Sequence, residues 1–299
     1  MDNGKLSNDK EVKVMVTIIT DSSSYFKESE AHSLGIKIVP LGYTVDGQGF
    51  YESYSDKNED LETLLSGDKK LTTSQPNISA FLSAFEEELK KGNEVLCITL
   101  SSRLSGTYST AQAAAEQAIQ ARQAEQDAPT KSENITVFDS LFTGGGLYLL
   151  IKEAKKLIAG GMNLKEITQE LTKTRDKITL AFSVDDMTPL RNSGRLGFVR
   201  RSIATFLNIK PILLCKDGAV ISDKVVHGST EIIKIMAEKV TATTQEIVIS
   251  AIGENRMATN LYHVIKEAYP EIPITIQKVG PALGIHLGLR VIAISLIEK

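Results

Sequence analysis

The sequence has no tryptophan and only 6% aromatic residues, which argues against a surface that stacks sugars or single-stranded bases on aromatic platforms. Its two cysteines, Cys97 and Cys215, each sit inside an apolar run. They read as small buried hydrophobes, not as a disulfide or a metal pair, and fit a reducing, cytoplasmic setting. Neither charge is in excess: 34 basic residues meet 37 acidic ones, and no stretch gathers the Lys/Arg cluster of a phosphate-backbone reader. Nucleic acid is therefore not an expected partner. No run approaches the roughly 20 apolar residues needed to span a bilayer, and the polar first dozen residues lack the apolar stretch of a secretion signal. A soluble chain is expected, in which any lipid must be covered by protein. His32 and His263 lie in helical surroundings without a second ligand at useful spacing, so no metal site is expected.

What the chain does have is 42% hydrophobic content over 299 residues, near the length at which one core gives way to two. Apolar β-branched runs at residues 14–20, 36–41, 95–100 and 135–138 read as strands. The first ends in Asp21-Ser22-Ser23-Ser24, a cluster suited to capping a helix, and Asp46-Gly47 marks a turn leading into a polar stretch over residues 54–60. Ile78, Phe81, Leu82, Phe85 and Leu89 fall on one helical stripe behind Asn77 as N-cap; an Ala-rich helix runs to about Gln126, followed by a polar loop over residues 123–132. Asp139-Ser140 and Thr143-Gly144-Gly145-Gly146 turn the fourth strand into a helix reaching Ala159. Three strand-loop-helix units in series imply a parallel sheet with its functional loops at the C-terminal strand ends.

The second half changes rhythm. A helix carrying Leu164, Ile167 and Leu171 leads to a strand at 178–184, and strands at 211–215 and 219–222 form a hairpin around Lys216-Asp217-Gly218. Helices at 230–240 and 258–268 alternate with strands at 247–251, 274–279 and 291–296, giving a mixed α/β layer. The expected architecture is α/β in two domains: residues 13–160, a three-layer domain on a parallel sheet, and residues 161–299, a domain on a mixed sheet, with a ligand between them.

Two hydroxyl-rich segments stand out. Thr72-Thr73-Ser74-Gln75-Pro76 reads as a loop before a helix, and Ser101 to Thr107 as a loop after a strand. Placed at the same edge of one sheet, they would surround an anionic head group with hydroxyl donors and backbone N–H groups. Either segment alone reads more readily as helix capping; it is the pair that points to an anion. The Gly144-Gly145-Gly146 run lacks the Gly-Lys-Ser/Thr ending of a P-loop and is not GxGxxG, so a phosphate- or nucleotide-binding module is a weaker reading.

The ordered set TSQP, LSSRLSGTY, VFDS with its Gly-rich turn, NSGRLG, LNIKPIL and GIHLG resembles the DegV family from about Thr17 to the C-terminus. That resemblance implies a two-domain, non-catalytic protein holding one long-chain fatty acid, with no other cofactor and no metal. It also implies a fatty acid kinase as partner in bacteria that possess one, where the product is an acyl phosphate for phospholipid synthesis, and it allows transient contact with a membrane. Carried over by position, the carboxylate-binding Thr falls on Thr73, the Ser on Ser105, the late His on His286, and the Arg of the family's Gly-Gly-Arg on Arg195. Where relatives read HTGPG, this chain has His286-Leu287-Gly288-Leu289-Arg290, which changes the segment's flexibility and charge. At residues 225–230 it is also poorer in basic residues than relatives, so electrostatic docking of a kinase there would be weaker. Asp21-Ser22 and Asp139-Ser140 match the family's Asp-Ser pairs and read as loop and cap residues. A competing reading is an acyl hydrolase using Ser105 or Ser101 as nucleophile and His286 as base, although no G-x-S-x-G elbow surrounds either serine.

Overall fold

The computed structural model describes residues 15–58, 60–125, 134–196 and 209–299. It is an α/β structure in two domains. The N-terminal sheet is formed by β1 (Val16–Asp21), β2 (Ile36–Val39), β6 (Glu94–Thr99) and β7 (Ile135–Asp139), all parallel in the order β2-β1-β6-β7. Ile18, Ile19, Leu96, Cys97 and Ile98 are fully buried, as expected of parallel strands covered on both faces. One face carries α3 (Ile78–Lys90) and α4 (Thr107–Glu125). Phe81 and Phe85 of α3 fill space against Ile19 and Cys97, while Ala111, Ala114 and Ala118 let α4 lie close. The expected N-cap is present, with Asn77 Oδ1 accepting from Ala80 N at 2.9 Å.

The other face carries α5 (Gly144–Ala159). This helix is buried over most of its circumference because it also packs on strands of the C-terminal sheet. That sheet contains β8 (Ile178–Ser183), β9 (Ile209–Lys216), β10 (Ala219–His227), β11 (Thr244–Ala251), β12 (Ile274–Lys278) and β13 (Ile292–Glu298), in the order β10-β9-β8-β13-β11-β12. Among the pairings of these strands with one another in the described residues, β11 with β12 is parallel and the others are antiparallel. Its outer face is closed by α8 (Gly228–Ala237) and α9 (Arg256–Ala268), whose Ile232, Met236, Leu261 and Ile265 meet Ile247 and Ile249. Between the domains α6 (Leu164–Arg175) follows α5, so positions 160–161 fall at the C-terminal end of α5.

Four expectations need correction. Thr72, Thr73 and Ser74 are not a loop: they belong to β5 (Leu71–Ser74), an edge of a third, antiparallel sheet with β3 (Gly42–Val45) and β4 (Gln48–Tyr51). The turn at Asp46 and Gly47 is real, and both residues have positive φ, the geometry that joins β3 to β4. The four-residue strands it joins are too short for alternation to show. Thr73 and Ser105 accordingly lie at the edges of two different sheets, not one. Gly144, Gly145 and Gly146 form the first turn of α5 itself, not a turn ahead of it. Finally, the first three residues of the expected polar loop at 123–132 continue α4; the remainder, and Gln126, lie outside the described residues.

Candidate ligand site

A cavity of about 370 Å³ lies between α5, the C-terminal sheet and the β5 and β6 ends, within the size range of small-molecule pockets. Leu180 and Phe182 on β8, Cys215 on β9, Val220 on β10 and Ala293 on β13 line its interior. They face inward because alternate residues of each strand point to the same side. The interior is apolar except for a few hydroxyls. Ser250 donates to Gln277 Oε1 (3.1 Å), whereas Ser295 Oγ, fully buried, has no hydrogen-bond partner among the described residues. The Gly run at the start of α5 lets the helix lie close against its neighbours beside this cavity. A Cβ at Gly145 would lie 2.7 Å from Ser295 Oγ and 3.0 Å from Val248 Cβ, and one at Gly146 would meet the Phe142 ring at 2.9 Å. Gly145 serves close packing between helix and sheet and Gly146 packing against the preceding loop, which explains both without a phosphate.

All four residues expected at a head group, Thr73, Ser105, Arg195 and His286, line this cavity, and each is only partly buried. They form its mouth. Thr73 Oγ1 and His286 Nε2 share a hydrogen bond of 2.7 Å. His286 is carried on α10 (Pro281–Leu287). Burial pushes its imidazole down to about 4, and the neighbouring Arg195 charge adds to the effect, so the ring is neutral. Ser105 Oγ bonds Thr107 Oγ1 at 2.9 Å and accepts from Thr107 N at 3.3 Å, which fixes it at the entrance to α4. Arg195 donates through Nε to Leu104 O (3.5 Å) and through Nη1 to Ser193 O. Its guanidinium is thus tied to the backbone of the Ser105 loop.

Three further hydrogen bonds, unexpected from the sequence, bind the mouth together. Gln75 Nε2 donates to Thr110 Oγ1 on α4 (2.8 Å), and a Cβ at Gly106 would lie 2.1 Å from Gln75 Oε1. The TSQP and LSGT segments are therefore joined by the Gln75 side chain. Ser101 Oγ donates to Gly218 O (2.7 Å) and Arg103 Nη1 to Asp217 O (3.1 Å), so the tip of the β9–β10 hairpin is stapled to the Ser105 loop. At Gly218, with φ +80°, a Cβ would come within 2.6 Å of Ser101 Oγ. In the sequence Asp217-Gly218 signalled only a turn.

The departure after His286 resolves into separate roles. Leu287 lines the cavity, Gly288 closes α10 by donating to Gly284 O (2.8 Å), and Arg290 reaches away to Asp185 Oδ2 (3.3 Å). Residues 225–230 span the end of β10 and the start of α8, away from the cavity lining. His32 and His263 each pack edge-on to a tyrosine, Tyr54 and Tyr262 respectively. Among the described residues no group of metal-type ligands gathers, and no helix is long and apolar enough to cross a membrane.

Fold and cavity together define the class: a two-domain α/β protein with an apolar cavity between its sheets and a polar, partly exposed mouth. The chain belongs to the DegV family, whose model, described as an uncharacterised protein family, matches residues 15–299. A DegV domain-containing protein of Halalkalibacterium halodurans is 28% identical over 292 residues, covering 95% of this chain and 99% of that protein. The fold is shared with DegV of Bacillus subtilis, described as a fatty acid binding protein (TM-score 0.80, 23% identity, 96% and 100% of the two chains). It is shared also with the Streptococcus pneumoniae fatty acid kinase B3 protein loaded with linoleic acid (TM-score 0.79, 20% identity, 96% and 100%).

Proposed function

We propose that this protein encloses one long-chain fatty acid, holds its carboxylate at the mouth through Thr73 and Ser105 with support from His286 and Arg195, and buries its acyl chain in the cavity. The observation that carries this reading is a threonine hydroxyl bonded to a neutral imidazole at the lip of an apolar cavity. With its proton on Nε2, His286 donates to Thr73 Oγ1 and leaves the Thr73 hydroxyl proton free to point at an anion. By the same logic, Thr107 donating to Ser105 frees the Ser105 hydroxyl proton. Arg195 supplies positive charge without taking up the carboxylate's outer oxygen. The tail supplies affinity: about 0.8 kcal/mol per buried methylene gives roughly 10 kcal/mol for a sixteen-carbon chain before binding entropy is subtracted.

In this reading the protein is a carrier in the cytoplasm, with domains at 13–160 and 161–299, and chemistry on the acid is performed by a partner. A fatty acid kinase fits, because the partly exposed mouth leaves a carboxylate oxygen reachable for phosphorylation; the Streptococcus pneumoniae fold relative supports that assignment. The acyl phosphate would then feed phospholipid synthesis. The hydrolase reading has less support from geometry. His286 is bonded to Thr73 and not to a serine, Ser101 is fully buried and donates to a backbone carbonyl, and the charge beside His286 is a cation where a triad uses a carboxylate.

Mass spectrometry of ligand released on denaturation, with an exchange assay on delipidated protein, tests the proposal. A stoichiometric fatty acid is expected, and Thr73→Ala combined with Ser105→Ala is expected to weaken its retention about ten- to a hundredfold. Unchanged retention, or a covalent adduct with a serine-directed acyl probe, overturns it.

A further inference from the structure

At the C-terminal end of β1 the chain makes a one-turn 3-10 helix, Ser22–Ser24, that is wholly buried and carries more polar atoms than its capping role needs. Asp21 Oδ1 accepts from Ser23 N (3.1 Å) and Ser23 Oγ (2.6 Å), and its Oδ2 accepts from Leu100 N (2.7 Å). Next to it lies a second carboxyl group, Glu52, only 1% exposed. Ser22 Oγ donates to Glu52 Oε2 at 2.6 Å while accepting from Leu41 N at 3.0 Å. Glu52 Oε1 accepts from Ala282 N at 2.9 Å, and the adjacent Tyr25 hydroxyl accepts from Leu283 N at 3.3 Å.

Ala282 and Leu283 are in the first turn of α10, whose last turn carries His286. A carboxylate on the first of those orphan N–H groups and a phenol oxygen on the second fix the helix at the end opposite His286. The fit is close. At Gly280 a Cβ would lie 2.4 Å from Glu52 Oε1, 2.6 Å from Asn58 Nδ2 and 2.9 Å from the Tyr25 ring. On the far side, Leu61 of α2 (Leu61–Leu65) packs onto Gly284, where a Cβ would lie 2.3 Å from Leu61 Cδ2. With α10 pinned at its start and wedged at its middle, the position of the imidazole against Thr73 is set from outside the cavity.

The geometry points to Glu52 as a positioning residue: its buried carboxyl group, with Tyr25 and Ser22, anchors the start of α10 and thereby holds His286 where it orients the Thr73 hydroxyl toward a bound carboxylate. This rests on the fatty acid reading above and adds a control to that same site. The acidic neighbours favour a pH-sensitive hold. The titratable groups facing Glu52 are Asp21 on β1 and Tyr25; burial raises the Glu52 carboxyl to about 7 and the Asp21 carboxyl to about 6. Once ionised, Glu52 accepts from Ser22 and Ala282 together, with the Tyr25 hydroxyl beside it. When protonated it gives up one acceptor site, and the grip on α10 loosens.

The test compares oleate with oleyl alcohol, which has the same tail without the charge, at pH 6 and pH 8, and follows the His286 ring by NMR in ligand-free protein. The wild-type protein is expected to prefer the acid more strongly at pH 8. Glu52→Gln, which imitates the protonated group, is expected to lose about tenfold in oleate affinity at pH 8 and most of the pH dependence, with little change for the alcohol. Tyr25→Phe, a milder change that guards against misfolding of the first variant, should lose roughly two- to threefold. Equal losses for acid and alcohol, or an unshifted His286 ring signal in ligand-free Glu52→Gln, overturn the assignment. If the wild-type protein bound neither ligand, the fatty acid reading would fall, while the ring signal would still decide whether Glu52 positions His286.

Discussion

The mouth and the interior of the cavity are built by opposite means. At the mouth every functional side chain is held by a polar contact: Thr73 by His286, Ser105 by Thr107, Arg195 by Leu104, and Gln75 by Thr110. In the interior the walls are strand residues fixed by the sheet ladder, and space is made by small residues such as Ala293, Gly144 and Gly145. The mouth is directional and the interior is not, because hydrogen bonds have geometry and apolar burial scales only with area. On the proposed function, head-group selectivity and chain affinity therefore reside in separate residues and separate elements.

That separation can be broken from either side. Ala293→Phe places a ring inside the cavity and displaces on the order of four methylenes, about 3 kcal/mol or a hundredfold in affinity, for acid and alcohol alike. A competition assay showing loss of the acid alone contradicts the division. Gly145→Val drives the start of α5 into Ser295 and Val248 and should cost about 1–3 kcal/mol of stability, read as a lower Tm, while the His286 ring signal stays where it was. Movement of that signal would show that interior packing sets the mouth.

The mouth also has a pH signature. Because the folded His286 ring titrates near 4, below its ordinary 6.5, the unfolded chain takes up the proton first as pH falls. The contribution of this group is thus complete above about 6.5 and is lost between there and about 4. Glu52 and Asp21 act in the other sense, adding stability as pH falls through about 7 and about 6 respectively toward their ordinary values. His286→Asn removes only the first effect, so its Tm relative to wild type should rise steadily as pH drops from 6.5 to 4. A constant difference across that range contradicts the low-titrating imidazole. Binding of a carboxylate beside the ring should raise its titration point, visible as a shifted NMR curve in the loaded protein. The smallest expected effect is at Ser295: Ser295→Ala removes an unpartnered buried hydroxyl from the wall and should change chain affinity less than threefold, with stability unchanged or slightly raised.

Much of this architecture was legible before any coordinates. Continuous β-branched runs marked the buried strands β1, β6 and β11, the Phe81/Phe85/Leu89 stripe marked α3, and Asp217-Gly218 marked the β9–β10 hairpin. The third sheet was not, because Gly42–Val45, Gln48–Tyr51 and Leu71–Ser74 pair over only four residues each, too few for a period of two to stand out. Local pattern cannot register pairings whose partner lies some thirty residues away. The four mouth residues came from motifs, and the structure gathers all four on one cavity. Glu52 escaped notice for a different reason. It sits just ahead of a polar stretch that looks like a surface loop, and only tertiary structure reveals that its carboxyl is buried against a helix 230 residues further on.

The helix α5 has one last implication. It serves as a wall for both sheets at once, with Leu147 to Ile151 buried on every side. Neither sheet can keep its inner face dry after the other has let go of that helix, so heating should strip both in a single calorimetric peak. A cut near 160–161 would then yield two fragments that must reassociate to fold, not two that stand alone.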